Sequence, residues 1–427
     1  MSIIYNEIMP SNINSTQKVS YRDGNPIVSF LIGTQPHLLD AGSIRVSGNI
    51  SFFKDANRTK PTSADQLGID EKLGVYSIME KVTVTSQRSR QVIESVNHYG
   101  RFLASYFPNI ASKADKFSHV NEMGLTLPNY QATKKETVDF PSAEGNSFCI
   151  HVPTGFLSSG NMIPLDAGSL GGVEISLNLA PDSQVLYSQN GSTAGLSDAF
   201  YELSNLRLHC ELVVPQTPQP PQGQLTYNAI TSYFNVINSA NAVVNFNLGS
   251  SRTLGVFMNL VPSKYLNNLQ YNSFNTLSPM NANGTQAPIN QIIFTKAGMR
   301  MPLAFNLDTN VKDSATTSVV DPEVVTFARS AITSGMNMRS QISPVNTNRL
   351  YSASGLGGPL VADGGVMETI GVPFDTTGTG VGEDFSTTPF GIQMEVGLNS
   401  DSPNALFLFV HSRQTLVFNP QGLQIVQ

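Results

Sequence analysis

Four places in the chain bring together residue types that could do chemistry. His119 and Glu122 form an H-x-x-E pair of the kind that binds divalent metals. Cys149 with His151, and His209 beside Cys210, could supply a thiol nucleophile and a base. Gly378, Gly380 and Gly382 make a G-x-G-x-G sequence that could wrap a phosphate. Each also has a plainer reading, and the surrounding residues favour it. No H-E-x-x-H frame is present and no two of the six histidines stand four apart, so the first pair reads as a solvated loop. Alternation sets Cys149 and His151 opposite Phe148, Ile150 and Val152, which describes a strand with one polar and one packed face. The glycine loop has no apolar strand running directly into it and no helix after it, and Glu383 and Asp384 would repel a phosphate. No nucleophile elbow, Walker lysine or kinase motif occurs, and no acid pair stands out for glycoside hydrolysis. The expected catalytic, cofactor-binding and metal residues are therefore none, and no cofactor is expected.

The elements that carry these residues read mainly as strands. Val173, Ile175, Leu177 and Leu179 alternate with Glu174, Ser176 and Asn178. Leu206, Leu208, Cys210, Leu212 and Val214 alternate with polar neighbours, as do Val244, Phe246 and Leu248 with asparagines. Less regular strand patterns cover residues 44–53, 81–85, 254–261 and 406–418. Strands with one apolar face suit antiparallel sandwiches. One helix is predicted over residues 91–107, where Val92, Ile93, Val96, Tyr99, Leu103 and Tyr106 recur at three- and four-residue intervals, and a weaker one over 262–270. Each follows a strand at an offset of about 170–175 residues, which hints at two similar halves. Between the halves, PQTPQPPQGQ (residues 215–224) reads as a semi-rigid connector because its prolines lack backbone donors and favour extended backbone. The expected organisation is one β domain over residues 1–214, the linker 215–224, and a second β domain over 225–427. Residues 355–365 and 371–386 are rich in Gly, Thr and Asp and read as surface loops.

Composition narrows the function classes. Only 13% of the 427 residues are charged, about half the usual share, and the net charge is −6. With 40% apolar residues the chain can build cores, and without basic runs it is no bulk binder of nucleic acid. Two cysteines in so long a chain do not make a disulfide scaffold. No apolar stretch is long enough for a membrane-spanning helix, and the first ten residues lack a signal-peptide pattern, so synthesis in a cytoplasm is expected.

Several segments resemble one family. HLLDAGSIRVSGNISFF (37–53), GVYSIMEKVTVTS (74–86) and QVIESVNHYGRF (91–102) are similar, in residue types and order, to the first jelly roll of the major capsid proteins of polinton-like viruses and virophages. FCIHVPTGFLSSGNMIPLDAGSLGGVEISLNLAPDSQVLY (148–187) and YELSNLRLHCELVVP (201–215) look like later strands of that roll. In the second half FTKAGMRMPLAFNL (294–307) and LFLFVHSRQTLVFNPQGLQIVQ (406–427) resemble the family's Gly-then-Pro strand and its terminal strand. The resemblance touches about half of the chain, and residues 312–384 match no part of it.

The resemblance implies an all-β chain of two tandem eight-stranded antiparallel jelly-roll sandwiches, a double jelly roll, with one or two short helices. It implies a non-enzymatic major capsid protein whose homotrimers form pseudo-hexagonal capsomers of an icosahedral shell, in the virion of a tailless double-stranded DNA virus. Its partners would be copies of itself and penton and minor capsid proteins, without sequence-specific nucleic acid binding. The long loops of the second half would face outward, and residues 1–23 would reach a neighbour or the inner surface. The alternatives are another virion component, such as a penton or fibre protein, or a two-domain β-sandwich enzyme acting on polysaccharide. Low charge fits the first reading, because like charges repeated across each lattice contact would repel.

Overall fold

A computed structural model describes residues 2–14, 17–24, 26–70, 73–110, 146–188, 191–218, 222–274, 289–301, 307–308, 369–375, 379–396 and 403–427. In the first half the elements are β1 (Ile3–Ile8), β2 (Ile27–Ile32), β3 (Leu38–Asp40), β4 (Arg45–Phe53), β5 (Leu67–Ile69), β6 (Met79–Ser86) and β7 (Val92–Asn97). They continue with helix α1 (Tyr99–Ile110), β8 (Asn146–His151), β9 (Met162–Pro164), β10 (Val173–Leu179), the short helix α2 (Asp182–Val185), β11 (Leu186–Ser188) and β12 (Phe200–Val213). The second half comprises β13 (Gly223–Ile237), β14 (Asn241–Phe246), β15 (Thr253–Pro262), β16 (Ile289–Lys296) and β17 (Met299–Arg300). After these come β18 (Leu307–Asp308), β19 (Ile370–Pro373), β20 (Phe390–Val396), β21 (Asn404–Asn419) and β22 (Gly422–Val426).

These strands build the same sandwich twice. In the first half one sheet runs β1–β12–β4–β8 and faces a second sheet β2–β10–β6–β7. In the second half β13–β21–β15–β19 faces β14–β20–β16–β17. All of these pairings are antiparallel, and in each half the eight strands just named follow one jelly-roll order. The counterparts are β1 and β13, β2 and β14, β4 and β15, β6 and β16, β7 and β17. The 170–175 offset had instead aligned β6 with β15, so the repeat is present but its alignment is corrected.

Period-two burial explains most strands. In β10 the residues Val173, Ile175, Leu177 and Leu179 are buried while the polar set between them is half-buried. Along β12 the alternation changes phase at a bulge between Ser204 and Arg207, with Asn205 at φ 52°. The extra residue keeps both Leu203 and Leu206 inward.

Three expectations need correction. The predicted 91–107 helix is a strand followed by a helix. Its β-branched start, with Val92, Ile93 and Val96, pairs with β6 as β7, and α1 begins only after His98 at φ 53°. The three- and four-residue spacing was shared by chance between two elements, and sheet pairing decided the first. The 262–270 helix is a single 3-10 turn, Ser263–Tyr265, after which Asn267 takes a left-handed conformation at φ 51°. The 371–386 segment is more than a surface loop: it carries most of β19, and its Phe385 is buried between Phe374 and Phe390. Residues 355–365 lie outside the described residues.

The strands β15 and β21 depart from half-buried alternation for an instructive reason. All of β15 and residues 404–412 of β21 are buried on both faces. Val256, Met258, Leu260, Leu406, Leu408 and Val410 point into the core of the second sandwich. Phe257, Ala405, Phe407 and Phe409 point the other way and join the core cluster of the first. The cover on that side is α1, whose Phe102 ring lies 5.9 Å from Phe409, 6.1 Å from Phe257 and 5.4 Å from Tyr106. Because Phe102 is fully buried where the two sandwiches meet, Phe102→Ala should cost about 3–5 kcal/mol. Urea denaturation of the wild-type and substituted chains would measure the loss.

Candidate functional site

The residues singled out for chemistry are dispersed or occupied. Cys149 and His151 sit half-buried on the outer face of β8, with Phe148 and Ile150 inward, as alternation required. His209 lies on the same polar face, its Nε2 2.7 Å from Ser47 Oγ, while Cys210 points into the core. Register places Arg45 opposite both His151 and His209, so a cation stands between the two imidazoles. Burial lifts the Cys210 thiol to about 11 and holds Cys149 above the usual range. Neither is disposed to form a thiolate. In the glycine loop the Asp375 carboxylate accepts from Thr379 N at 3.1 Å and Gly380 N at 2.6 Å. The seat a phosphate would take is thus filled by the chain's own carboxylate. His119, Glu122 and Gly378 lie outside the described residues. Among the described residues no group of three or more His, Cys, Asp or Glu is placed to hold a metal.

The structure concentrates its buried polar groups elsewhere, at the seam between the sandwiches. Glu94 on β7 is buried, and its carboxylate accepts from Gly155 N (3.1 Å), Phe156 N (2.7 Å) and Ile230 N (2.8 Å). Burial pushes its pKa up, against the pull of these backbone donors. The Ile230 bond crosses from one sandwich to the other. Beside it Tyr227 of β13 donates to the Ile93 carbonyl at 2.9 Å. The two edge strands β7 and β13 thus meet through side chains, with Glu94 satisfying backbone donors that no ladder reaches.

On α1, Arg101 is buried and its Nη1 donates to the Ser273 carbonyl at 2.7 Å. Its guanidinium lies 4.4 Å from the Phe407 ring centre, a cation–π contact in a desolvated setting. Burial lowers its pKa to about 10, which still leaves it charged at neutral pH. The stretch after β15 extends this clasp: Asn272 donates to Asp70 at 2.7 Å, and Ser188 N to the Leu269 carbonyl at 2.7 Å. His411 completes the seam. It is fully buried between Phe102 and Phe257, its ring nitrogens have no hydrogen-bond partner among the described residues, and burial lowers its pKa to about 3.

Sequence reasoning passed over these residues, although each left a trace. Glu94 stands between the apolar residues Val92, Ile93 and Val96, and His411 closes the run LFLFV. A titratable group inside an apolar run is the signal that finds them.

No family model and no curated protein sequence matches the chain. Solved structures do match it. The Sputnik virophage structure aligns over 100% of this chain and 88% of its own, with a TM-score of 0.58 at 12% identity. The quasi-atomic model of the PBCV-1 virus capsid aligns over 100% and 96%, with a TM-score of 0.56 at 12% identity. The mavirus major capsid protein aligns over 99% and 90%, with a TM-score of 0.50 at 10% identity. The chain has the double jelly-roll fold. In this double jelly roll the match runs through both sandwiches, so the seam is part of what the alignments cover.

Two measurements probe the seam. A Cβ on Gly155 would overlap the Asn228 carbonyl, whereas one on Gly33 would meet nothing. Gly155→Ala should therefore cost about 1–3 kcal/mol while Gly33→Ala is near neutral, as read by thermal unfolding. His411 folds neutral, and an unfolded histidine titrates near 6.5. Between pH 6.5 and about 3 the unfolded chain binds the extra proton, so this contribution to stability is complete above the window and lost as pH falls through it. Urea midpoints at pH 7 and pH 4.5 should fall further for the wild type than for His411→Phe.

Proposed function

We propose that this chain is the major capsid protein of a tailless icosahedral double-stranded DNA virus, a structural rather than catalytic component of the virion. The observation that carries the reading is one eight-strand order built twice in a single chain and locked by a buried seam. A trimer of such chains presents six similar lobes and can tile a hexagonal lattice with one gene product. Fold likeness along the whole chain to the PBCV-1 capsid model and the mavirus major capsid protein supports it. The folding units are residues 1–214 and 223–427, with the proline-rich stretch 215–222 as connector, since Gly223 and Gln224 already pair with β21.

In this reading the chain is synthesised in the host cytoplasm and assembles with copies of itself. Penton and minor capsid proteins would complete the shell. No cofactor is needed, because the work is burial of surface between subunits. Low overall charge serves that work, since neutral polar side chains can hydrogen-bond across repeated contacts without like-charge repulsion.

Native mass spectrometry of the purified chain should give a homotrimer, and negative-stain images should show a hexagonal outline roughly 75–90 Å across. A stable pentamer would point to a penton protein and overturn this assignment.

A further inference from the structure

The outer face of the sheet β1–β12–β4–β8 carries a row of basic side chains that neither the fold nor the capsid reading uses. Register sets Arg45 of β4 opposite His209 of β12 on one side and His151 of β8 on the other. Residues paired directly across strands leave a sheet on the same face, so the guanidinium stands between two imidazoles at strand spacings of about 4.8 Å. The next row on that face is Arg207, Ser47 and Cys149. Ser47 Oγ lies 2.7 Å from His209 Nε2 and fixes the orientation of that ring.

Charge pairing singles out Arg45. Arg207 is ion-paired with Glu7, Arg90 with Glu174 and Lys54 with Asp65. Arg45 is exposed, and among the described residues no carboxylate forms an ion pair with it. The acids on this face are Glu7, which Arg207 holds, and Glu211, whose register partner on β1 is Tyr5. From the core side the buried Tyr76 adds only a neutral phenol, since burial raises its pKa. Burial and the nearby Arg45 charge both hold the His151 pKa below the usual histidine value. An anion seated on the guanidinium would relieve the second of these effects and favour the protonated ring.

We propose that Arg45, His151 and His209 form a site for one tetrahedral dianion, a phosphate monoester or free sulfate or phosphate, on the outer face of the first sandwich. A guanidinium presents two parallel donors to one edge of such an ion, and each flanking imidazole presents one more. A single row suits a single group rather than a polyanion, because Glu7 and Glu211 stand beside it along the sheet and would repel a second phosphate. The site belongs to the single chain and stands apart from the capsid reading.

Isothermal titration calorimetry of the full-length chain with sodium sulfate, in chloride buffers of equal ionic strength, tests the site. Sulfate keeps both charges from pH 7.5 to 5.5, and carboxyl groups ordinarily titrate below that window. Protons added to the imidazoles therefore make the row more positive, and the dissociation constant should fall at least tenfold from pH 7.5 to 5.5. Arg45→Gln should weaken sulfate binding at least tenfold at both pH values, with unfolding in chloride unchanged because the side chain is exposed. The double variant His151→Gln/His209→Gln should retain weak binding without the pH dependence. At pH 7.5 phosphoserine should bind as sulfate does, whereas a single-stranded DNA oligonucleotide, whose phosphodiesters carry one charge each, should show no binding that depends on Arg45. Equal sulfate affinity in the wild type and Arg45→Gln would overturn the site, as would affinity that is flat or falls toward pH 5.5. An oligonucleotide that binds through Arg45 more tightly than sulfate would replace the dianion site with a polyanion surface.

Discussion

The rest of the structure depends on one burial event: β15 and residues 404–412 of β21 are covered on both faces. Their inner face makes the core of their own sandwich, and their outer face receives Phe102, Tyr106 and Arg101 from a helix of the other. A sheet covered on both sides cannot swing on a hinge without exposing a layer of aromatic rings. At roughly 25 cal/mol per Å² of apolar surface, and with each ring burying about 150–250 Å², opening such a layer is costly. Two sandwiches that could have been beads on a proline string are therefore one body.

That layer also accounts for the placement of the buried charges. Glu94 fills a gap where two edge strands approach without forming a ladder, so their backbone donors would otherwise be buried without acceptors. Arg101 lies over Phe407 and reaches the Ser273 carbonyl, tying the segment after β15 to the first sandwich. Elsewhere the outer faces of the sheets use neutral hydroxyls, as where Ser29 meets Ser176 at 2.9 Å. This is one way a chain with so few charges keeps its polar faces satisfied.

Much of the sandwich could be read from residue order. The alternation in β10, β12 and β14 matched burial because a strand at the wall of a sandwich has one wet and one dry face, and period two records that difference directly. The polar setting of Cys149 and His151 was legible for the same reason. Legibility failed where a second layer intervened. β15 and the start of β21 carry apolar residues on both faces, so alternation vanished there and the covering helix left no mark on their local sequence. It failed again at residues 91–107, where apolar spacing alone could not separate a strand from the helix that follows it.

Sequence by itself determined that this is a β chain of two halves with a proline-rich join, low charge and no recognisable catalytic motif, since periodicity, proline chemistry and composition are local properties. Tertiary structure alone decided that both halves use one strand order, that β7 is a strand, and that Glu94, Arg101 and His411 belong to a single buried seam. Glu94 and Ile230 are 136 positions apart, and Arg101 and Ser273 are 172 apart. Nothing in either neighbourhood encodes the other. Only the folded chain, by removing both from water at once, requires that each find its partner.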